Sequence, residues 1–186
     1  MHIQLEKELA SHCAAVLMGK KPAALFTLKM TDDEAAHATA LLAESGVQMA
    51  ELRCKRGRTL VLAYAPRLLR QALQQTLAKK MLAPLRYPLG ESLSAIIEHL
   101  RQRIAECEGF PHEIGFFLGY PPADVVGFML YEGRRFKHCG LWKVYSNVDK
   151  AKALCAEYEH CRRLGCRHVE LGGSLQSIGQ YADKAG

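Results

Sequence analysis

Apolar residues return every three or four positions along much of the chain, which is the spacing of one face of an α-helix. The first such stretch ends at Gly19, and the second opens with Thr31 and Glu34, a pair that can form a helix capping box. Pro122 lies where a further helix can begin, because proline is tolerated in the first helical turn. The predicted helices span residues 2–18, 31–46, 66–79, 93–107, 122–132 and 146–164.

Shorter apolar stretches rich in β-branched or aromatic residues lie between these helices and predict strands. The polar segment Lys55-Arg56-Gly57-Arg58 separates two of them, and a glycine in such a connection is typical of a β-hairpin. Nearly every position of 112–118 is apolar, which predicts a strand covered on both faces. The predicted strands span residues 23–29, 47–54, 59–65, 112–118, 138–145 and 168–171.

The order of these elements predicts an α/β fold. Strand–helix–strand units give parallel neighbours through right-handed crossovers, and the hairpin adds an antiparallel pair. We therefore predict a single α/β domain over residues 1–186, with a mixed, mostly parallel sheet of about five strands flanked by helices on both faces. Residues 81–90, with two prolines and a glycine, would join sub-halves at 1–80 and 90–165, and 172–186 would form a tail.

The composition is that of a soluble globular domain. The 186 residues are 49% hydrophobic and 24% charged, and no apolar run approaches the roughly 18 residues of a membrane helix. The first residues, MHIQLEKELASHC, mix acids with apolar residues and lack the apolar core of a signal peptide. The seven cysteines form no CxxC pair, as expected for reduced thiols. The sequence therefore predicts a cytoplasmic protein with no membrane partner.

Positive charge is concentrated in the first part of the chain. Residues 1–80 carry 12 Lys and Arg against 7 Asp and Glu, whereas residues 81–186 carry 13 against 12. Such a cluster is a candidate anion-binding or nucleic-acid-binding site. A solvated hairpin that binds nothing explains the same charges. The cations of the acid-free stretch 53–70 are Arg53, Lys55, Arg56 and Arg58 around the hairpin, followed by Arg67 and Arg70.

Two neighbouring segments carry a family resemblance. The string HEIGFFLGYPPADVVGF, at 112–128, is followed by FKHCGLWKVYSNVDKAKALCAEYEHCRR, at 136–163. Together they resemble the signature region of the bacterial domain of unknown function 3793, whose members are usually single domains of this size, largely from anaerobic Gram-positive bacteria. The resemblance is looser over 1–80, where the first strand and the basic hairpin fit. It implies the boundaries of the folding unit and supplies no catalytic residues.

The same segments hold residues capable of chemistry. If 112–118 and 138–145 are parallel neighbours, their first residues share one sheet edge. That edge would bring together a thiol, two imidazoles and a carboxylate, from His112, Glu113, His138 and Cys139. An imidazole within hydrogen-bond reach would activate the Cys139 thiol, with Glu113 orienting His112. These groups could instead bind a metal, although the sequence has no HExxH motif. A buried cysteine and a histidine that closes a turn are the structural alternative.

The opposite edge of such a sheet is where open α/β folds bind ligands. Two helix N-termini would point free N–H groups there, which suits an anionic small molecule. A tight turn at Tyr120 and an edge position for Lys143 account for those two residues without a ligand. The candidate ligand-binding residues are Tyr120, Trp142, Lys143, Tyr145 and Ser146.

Three functions stay open. The first, which we favour, is a small-molecule-binding or enzymatic domain that uses the region 112–147. The second is a regulatory module that binds a partner or nucleic acid through the basic stretch 53–70. The third is iron or haem handling, suggested by the density of Cys and His. No particular cofactor, reaction or oligomeric state is indicated. A further Cys and His group matches no zinc-binding spacing; it consists of Cys155, His160, Cys161, Cys166 and His168.

Overall fold

The computed structural model describes residues 2–107 and 109–180, with side chains from residue 4 onward. Within these residues the chain forms eight α-helices, five strands and a 3₁₀ helix at Leu175–Ser177. The helices are α1 (His2–Leu17), α2 (Asp32–Ala43), α3 (Pro66–Leu73), α4 (Thr76–Leu82), α5 (Leu93–Glu106), α6 (Ile114–Phe117), α7 (Pro122–Tyr131) and α8 (Val148–Glu170). The strands are β1 (Ala23–Leu28), β2 (Gln48–Lys55), β3 (Arg58–Tyr64), β4 (His138–Cys139) and β5 (Lys143–Val144).

The chain divides into two compact units. Unit 1 comprises Met1–Leu68 and Tyr158–Gly186, and unit 2 comprises Leu69–Glu157. The chain therefore leaves unit 1 within α3 and returns to it within α8. The segment 81–90, predicted as a linker, lies inside unit 2.

Unit 1 contains an antiparallel sheet in the order β1-β3-β2. The central strand β3 pairs with both neighbours, so that Val61 lies opposite Phe26 on one side and Glu51 on the other. Because β3 lies between β1 and β2, the strand–helix–strand unit β1-α2-β2 gives no parallel pair within this sheet. The predicted mixed, mostly parallel sheet of about five strands is therefore wrong. The described residues form one three-stranded and one two-stranded sheet, both antiparallel.

Several local predictions in unit 1 are confirmed. The Thr31 hydroxyl accepts a hydrogen bond from the Glu34 N–H, and the Glu34 carboxylate accepts one from the Thr31 N–H, which completes the capping box of α2. The β2–β3 hairpin turns at Arg56 and Gly57, which have φ values of 53° and 69°. Positive φ at both turn residues matches the twist of the flanking strands.

The core of unit 1 is formed by one face of the sheet together with α1, α2 and the end of the described chain. Leu9, Phe26 and Leu42 are buried in it. Leu175 and Ile178 are fully buried in the same core, although they belong to the segment predicted as a tail. Residues 181–186 of that segment lie outside the described residues.

Helix α8 is longer than its sequence pattern predicts. It continues through Gly165, where the pattern predicts an end, and runs for 23 residues in all. A Cβ at Gly165 would lie 2.6 Å from the Cβ of Ala14. This glycine therefore allows α8 to approach α1 closely. Among the described helices, α8 included, none combines the length and the apolarity needed to cross a bilayer.

Three predicted strands are replaced by other structure. Residues 112–118 form a turn and the short helix α6, 138–145 contain only the two-residue strands β4 and β5, and 168–171 include the end of α8. The error over 112–118 has a physical reason, since Phe116 and Phe117 are both buried. A segment covered on all sides shows the same apolar run whether its backbone is extended or helical.

Candidate functional site

Unit 2 contains a cavity of about 370 Å³ between α6, α7 and the β4–β5 hairpin. Most of the side chains around it are apolar or aromatic, and a thiol, an imidazole, a carboxylate and an ammonium group interrupt them. We call it the aromatic cavity. Its lining residues are Phe110, Pro111, His112, Ile114, Gly115, Tyr120, Asp124, Val125, Phe128, Cys139, Gly140, Leu141, Trp142 and Lys143.

One wall of the aromatic cavity is a stacked pair of rings. Tyr120 lies just before α7 and Trp142 just before β5, and their ring centroids are 4.6 Å apart at an interplanar angle of 22°. Burial raises the pKa of the Tyr120 hydroxyl, and Cys155 nearby raises it further. The pair therefore presents a broad and rigid apolar surface to the cavity.

Asp124 holds the hairpin against α7. Its carboxylate is almost fully buried and accepts hydrogen bonds from Trp142 Nε1 at 2.8 Å, the Tyr145 N–H at 2.8 Å and the Ser146 N–H at 2.7 Å. Burial acts to raise the pKa of Asp124, but these bonds outweigh it and leave the pKa below its ordinary value. Asp124 is therefore a charged acceptor that fixes the Trp142 ring and the chain after β5.

Two glycines permit the close packing around the cavity. A Cβ at Gly127 of α7 would lie only 2.4 Å from Cγ of Tyr145, and a Cβ at Gly115 of α6 would lie 2.8 Å from Val125. Side chains cannot approach at such distances without a shift of one of them. The absence of a side chain at these positions therefore sets how closely α7 approaches both α6 and the segment after β5.

Lys143 provides the positive charge of the aromatic cavity. Its Nζ donates to the carbonyl of Gly133 at 2.6 Å and lies 4.9 Å from the ring centroid of Phe136 and 5.9 Å from that of Phe128. Among the described residues, no carboxylate forms an ion pair with this ammonium. A lysine ammonium has three N–H donors, so Lys143 retains hydrogen-bonding capacity beyond the bond to Gly133.

His112 and Cys139 both line the cavity although the parallel strands expected to bring them together do not exist. The His112 ring packs edge-on against Phe128 with the centroids 4.8 Å apart. Cys139 is an exposed free thiol in β4 and lies opposite Lys143 in the hairpin register. Within residues 2–107 and 109–180, no group of three or more His, Cys, Asp or Glu is arranged to hold a metal ion.

Glu113 is turned toward other partners. Its carboxylate accepts from Arg103 Nε at 2.9 Å and from the Tyr87 hydroxyl at 3.2 Å, and it is 2% exposed. The pKa of Tyr87 is raised, first by burial and then by the Glu113 charge. The pKa of the Arg103 guanidinium is also raised, chiefly because Arg103 donates a hydrogen bond to the Glu113 carboxylate. These bonds join the start of α6 to α5, and Glu113 is not among the residues that line the cavity.

Tyr145 and Ser146 are also absent from the cavity lining. Their backbone N–H groups, which a ligand at a helix N-terminus would need, already donate to the Asp124 carboxylate. The Tyr145 ring packs against Gly127 and stacks on Tyr131, with ring centroids 5.9 Å apart. An acidic side chain of the protein thus occupies the position that the sequence assigns to an anionic ligand.

The predicted anion-binding residues lie in unit 1, on the β2–β3 hairpin. Arg53 and Lys55 belong to β2, Arg56 lies in the turn and Arg58 begins β3. All four side chains are exposed.

Comparison with protein families identifies the chain. The model of the family described as protein of unknown function (DUF3793) matches residues 9–179. The chain belongs to the DUF3793 family. The match confirms the resemblance seen in the sequence and includes every residue of the aromatic cavity. No curated protein and no solved structure matches this chain.

Sequence patterns alone do not point to Asp124, Phe110 or Phe128 of the aromatic cavity. Asp124 is the most important of the three in this DUF3793 chain. One signal was available, because Asp124 is the only acid in the otherwise apolar segment that begins α7. An acid in the first turn of a helix is ordinarily explained by the helix dipole alone. Its bonds to residues about 20 positions away depend on the tertiary structure.

Proposed function

We propose that unit 2 is a small-molecule-binding domain and that its ligand occupies the aromatic cavity. The observation that carries this proposal is a cavity of about 370 Å³ whose stacked Tyr120–Trp142 wall is combined with an ammonium unpaired among the described residues. Binding sites for small ligands are concave, mostly apolar and supplied with a few polar groups that fix orientation. The aromatic cavity has each of these properties.

The walls define the class of ligand. The stacked rings and the edge-on His112–Phe128 pair favour a flat, largely apolar molecule, which gains dispersion and ring-stacking energy there. The Lys143 ammonium favours an anionic substituent on that molecule, since a charge-assisted hydrogen bond in an apolar site is stronger than one in water. We therefore expect a planar organic anion of modest size.

Thiol chemistry on the bound molecule is a second candidate function. One observation favours it, namely that Cys139 and His112 line the same cavity. The binding proposal does not depend on it, so a Cys139→Ser variant separates the two. In this variant a cavity ligand should still bind with an affinity close to that of the wild type. Any reaction of the thiol with the bound ligand should be lost.

Two dyes that differ in charge test the binding proposal. Anilinonaphthalene sulfonate joins a flat naphthalene ring to an anionic sulfonate, and N-phenylnaphthylamine has the same aromatic rings without the charge. Trp142 is the only tryptophan of the chain, so the efficiency of energy transfer from tryptophan to the dye rises steeply as the bound dye approaches the cavity. We expect both dyes to bind with energy transfer. Lys143→Gln should weaken the anionic dye about tenfold, equivalent to about 1.4 kcal/mol, and should change binding of the neutral dye little.

Lys150→Gln is the matched control, because it removes an exposed ammonium of α8 that does not line the cavity. It should leave binding of both dyes unchanged. Equal losses in the two lysine variants would show that overall charge attracts the dye. Dye binding without energy transfer would show that the dye occupies another surface, and either result overturns the proposal.

A further inference from the structure

A second candidate site lies in unit 1 and is independent of the aromatic cavity. Five exposed cations lie at one end of the three-stranded sheet, and we call them the basic hairpin cluster. One lies directly after β1, and the other four belong to the β2–β3 hairpin. The members are Lys29, Arg53, Lys55, Arg56 and Arg58.

The strand register places part of the cluster on one face of the sheet. Lys55 lies directly opposite Arg58, and Arg53 lies opposite Leu60 two residues along the same strand. Side chains alternate between faces, so Arg53, Lys55 and Arg58 share a face. Arg58 is held in place across the sheet, because its Nη2 donates to the carbonyl of Thr27 in β1. The cations are therefore arrayed on a fixed frame.

This arrangement is unfavourable for the protein alone. Like charges directly opposite each other in an antiparallel pair destabilise the sheet. Among the described residues, none of the five cations forms an ion pair with a carboxylate. The nearest acid along β2, Glu51, lies opposite Val61. Side chains of directly opposite residues share a face, and Val61 points into the core of unit 1. Glu51 is therefore on the core face of the sheet, and Arg53, Lys55 and Arg58 are on the opposite face. An anionic partner would remove the repulsion.

The shape of the cluster limits what that partner can be. The tip carries none of the large apolar side chains that are exposed on this chain, so it offers nothing to insert into a bilayer. It carries no aromatic ring on which a base could stack. β1 accompanies β3 as far as Thr59, so the hairpin does not project as a free ribbon that could enter a groove. What remains is a row of cations suited to a linear polyanion.

We propose that the basic hairpin cluster binds the phosphate backbone of single-stranded nucleic acid without reading its sequence. Arg53 and Lys55 are two residues apart on an extended strand, a separation of about 7 Å, which is comparable with the interval between successive phosphates along an extended nucleic-acid strand. Arginine and lysine contacts to phosphate fix position and contribute affinity but carry no sequence information. Binding should therefore depend strongly on salt and weakly on base composition.

Fluorescence anisotropy with a labelled oligothymidylate of about 20 nucleotides tests the proposal on the whole chain. The variant Arg53→Gln/Lys55→Gln/Arg56→Asn removes three charges at exposed positions, and Asn is chosen because it tolerates the positive φ of residue 56. We expect the wild type to bind and the variant to lose at least about tenfold in affinity. The slope of log affinity against log salt should fall by about 2, since each phosphate contact on a single strand contributes about 0.7.

The matched control is Lys79→Gln/Lys150→Gln/Lys152→Gln, which removes the same charge from exposed positions outside the cluster. It should retain the wild-type affinity within about twofold and the wild-type slope. Circular dichroism checks that each variant is folded, and the double variant Arg53→Gln/Lys55→Gln replaces the triple one if the turn is disturbed. Equal losses in the two triple variants, or no binding by the wild type, would overturn the proposal. So would binding to phosphatidylserine vesicles or to polyglutamate that exceeds binding to the oligonucleotide.

Discussion

The chain contains two antiparallel hairpins that are held in place in different ways. The β2–β3 hairpin is a long ladder that runs from Gln48 opposite Tyr64 to Lys55 opposite Arg58, with a turn of positive φ at its tip. The β4–β5 hairpin has only two residue pairs, His138 with Val144 and Cys139 with Lys143. A two-stranded ribbon of that length is not stable by itself in water.

The short hairpin depends instead on a side chain from another element. Asp124 of α7 accepts from the Trp142 indole and from two backbone N–H groups that follow β5. Lys137, just before β4, donates to the Ser146 carbonyl and ties the two ends of the hairpin together. The long hairpin is therefore held by main-chain pairing along its whole length, including the pairing of β3 with β1, whereas the short hairpin that lines the cavity depends on a buried carboxylate.

The largest effect should follow from Asp124→Ala. The substitution leaves the Trp142 N–H and the N–H groups of Tyr145 and Ser146 without their acceptor, and each unsatisfied buried donor costs about 1–3 kcal/mol. We expect the free energy of unfolding of unit 2 to fall by about 4 kcal/mol, measured by urea titration with Trp142 fluorescence. Asp149→Ala is the control, since Asp149 is an exposed acid in the first turn of α8 and should cost at most about 1 kcal/mol. Similar losses in both variants would contradict the role given to Asp124.

Acid should remove part of the same interaction. Because the pKa of Asp124 is lowered in the folded protein, its carboxylate contributes stability that is fully present above the ordinary value of 3.8. That contribution is lost as the pH falls through the lowered pKa. We expect the difference in unfolding free energy between the wild type and Asp124→Asn to be constant from neutral pH to about 5 and to shrink below 3.8. A difference that does not change with pH would mean that the charge contributes nothing.

Gly127→Ala should disturb the cavity wall by overpacking. The added methyl group would lie 2.4 Å from Tyr145, so the ring and the chain after β5 must move. We expect a loss of about 2 kcal/mol in the same titration and a change in Trp142 emission. Gly90→Ala, where the space around the Cβ is open and φ is not positive, is a matched control in unit 2 and should cost less than about 0.5 kcal/mol.

The difference between the hairpins also explains what the sequence could predict. The β2–β3 hairpin and the capping box of α2 depend on residues close in the chain, and both are confirmed. The α6 segment and the β4–β5 hairpin depend on burial and on Asp124, which lies more than ten residues away from the groups it binds. Residue type alone points to Tyr120, Trp142 and Lys143 of the cavity but not to Phe110 or Phe128, and the parallel strands predicted to join the site are wrong.

Gly57→Ala should have the smallest effect and tests the long hairpin. Residue 57 has a φ of 69° with open space around the Cβ position, so the cost arises from the backbone conformation alone and should be about 1 kcal/mol. Chemical denaturation followed by circular dichroism measures this cost. Arg56→Asn, at the neighbouring positive φ, is the control. It should be neutral or slightly stabilising, because asparagine adopts this conformation more readily than arginine. The Trp142 emission of the folded protein should not change in either variant, since Trp142 belongs to unit 2. A loss as large as that expected for Asp124→Ala would mean that the turn contributes far more to the β2–β3 hairpin than its backbone conformation accounts for.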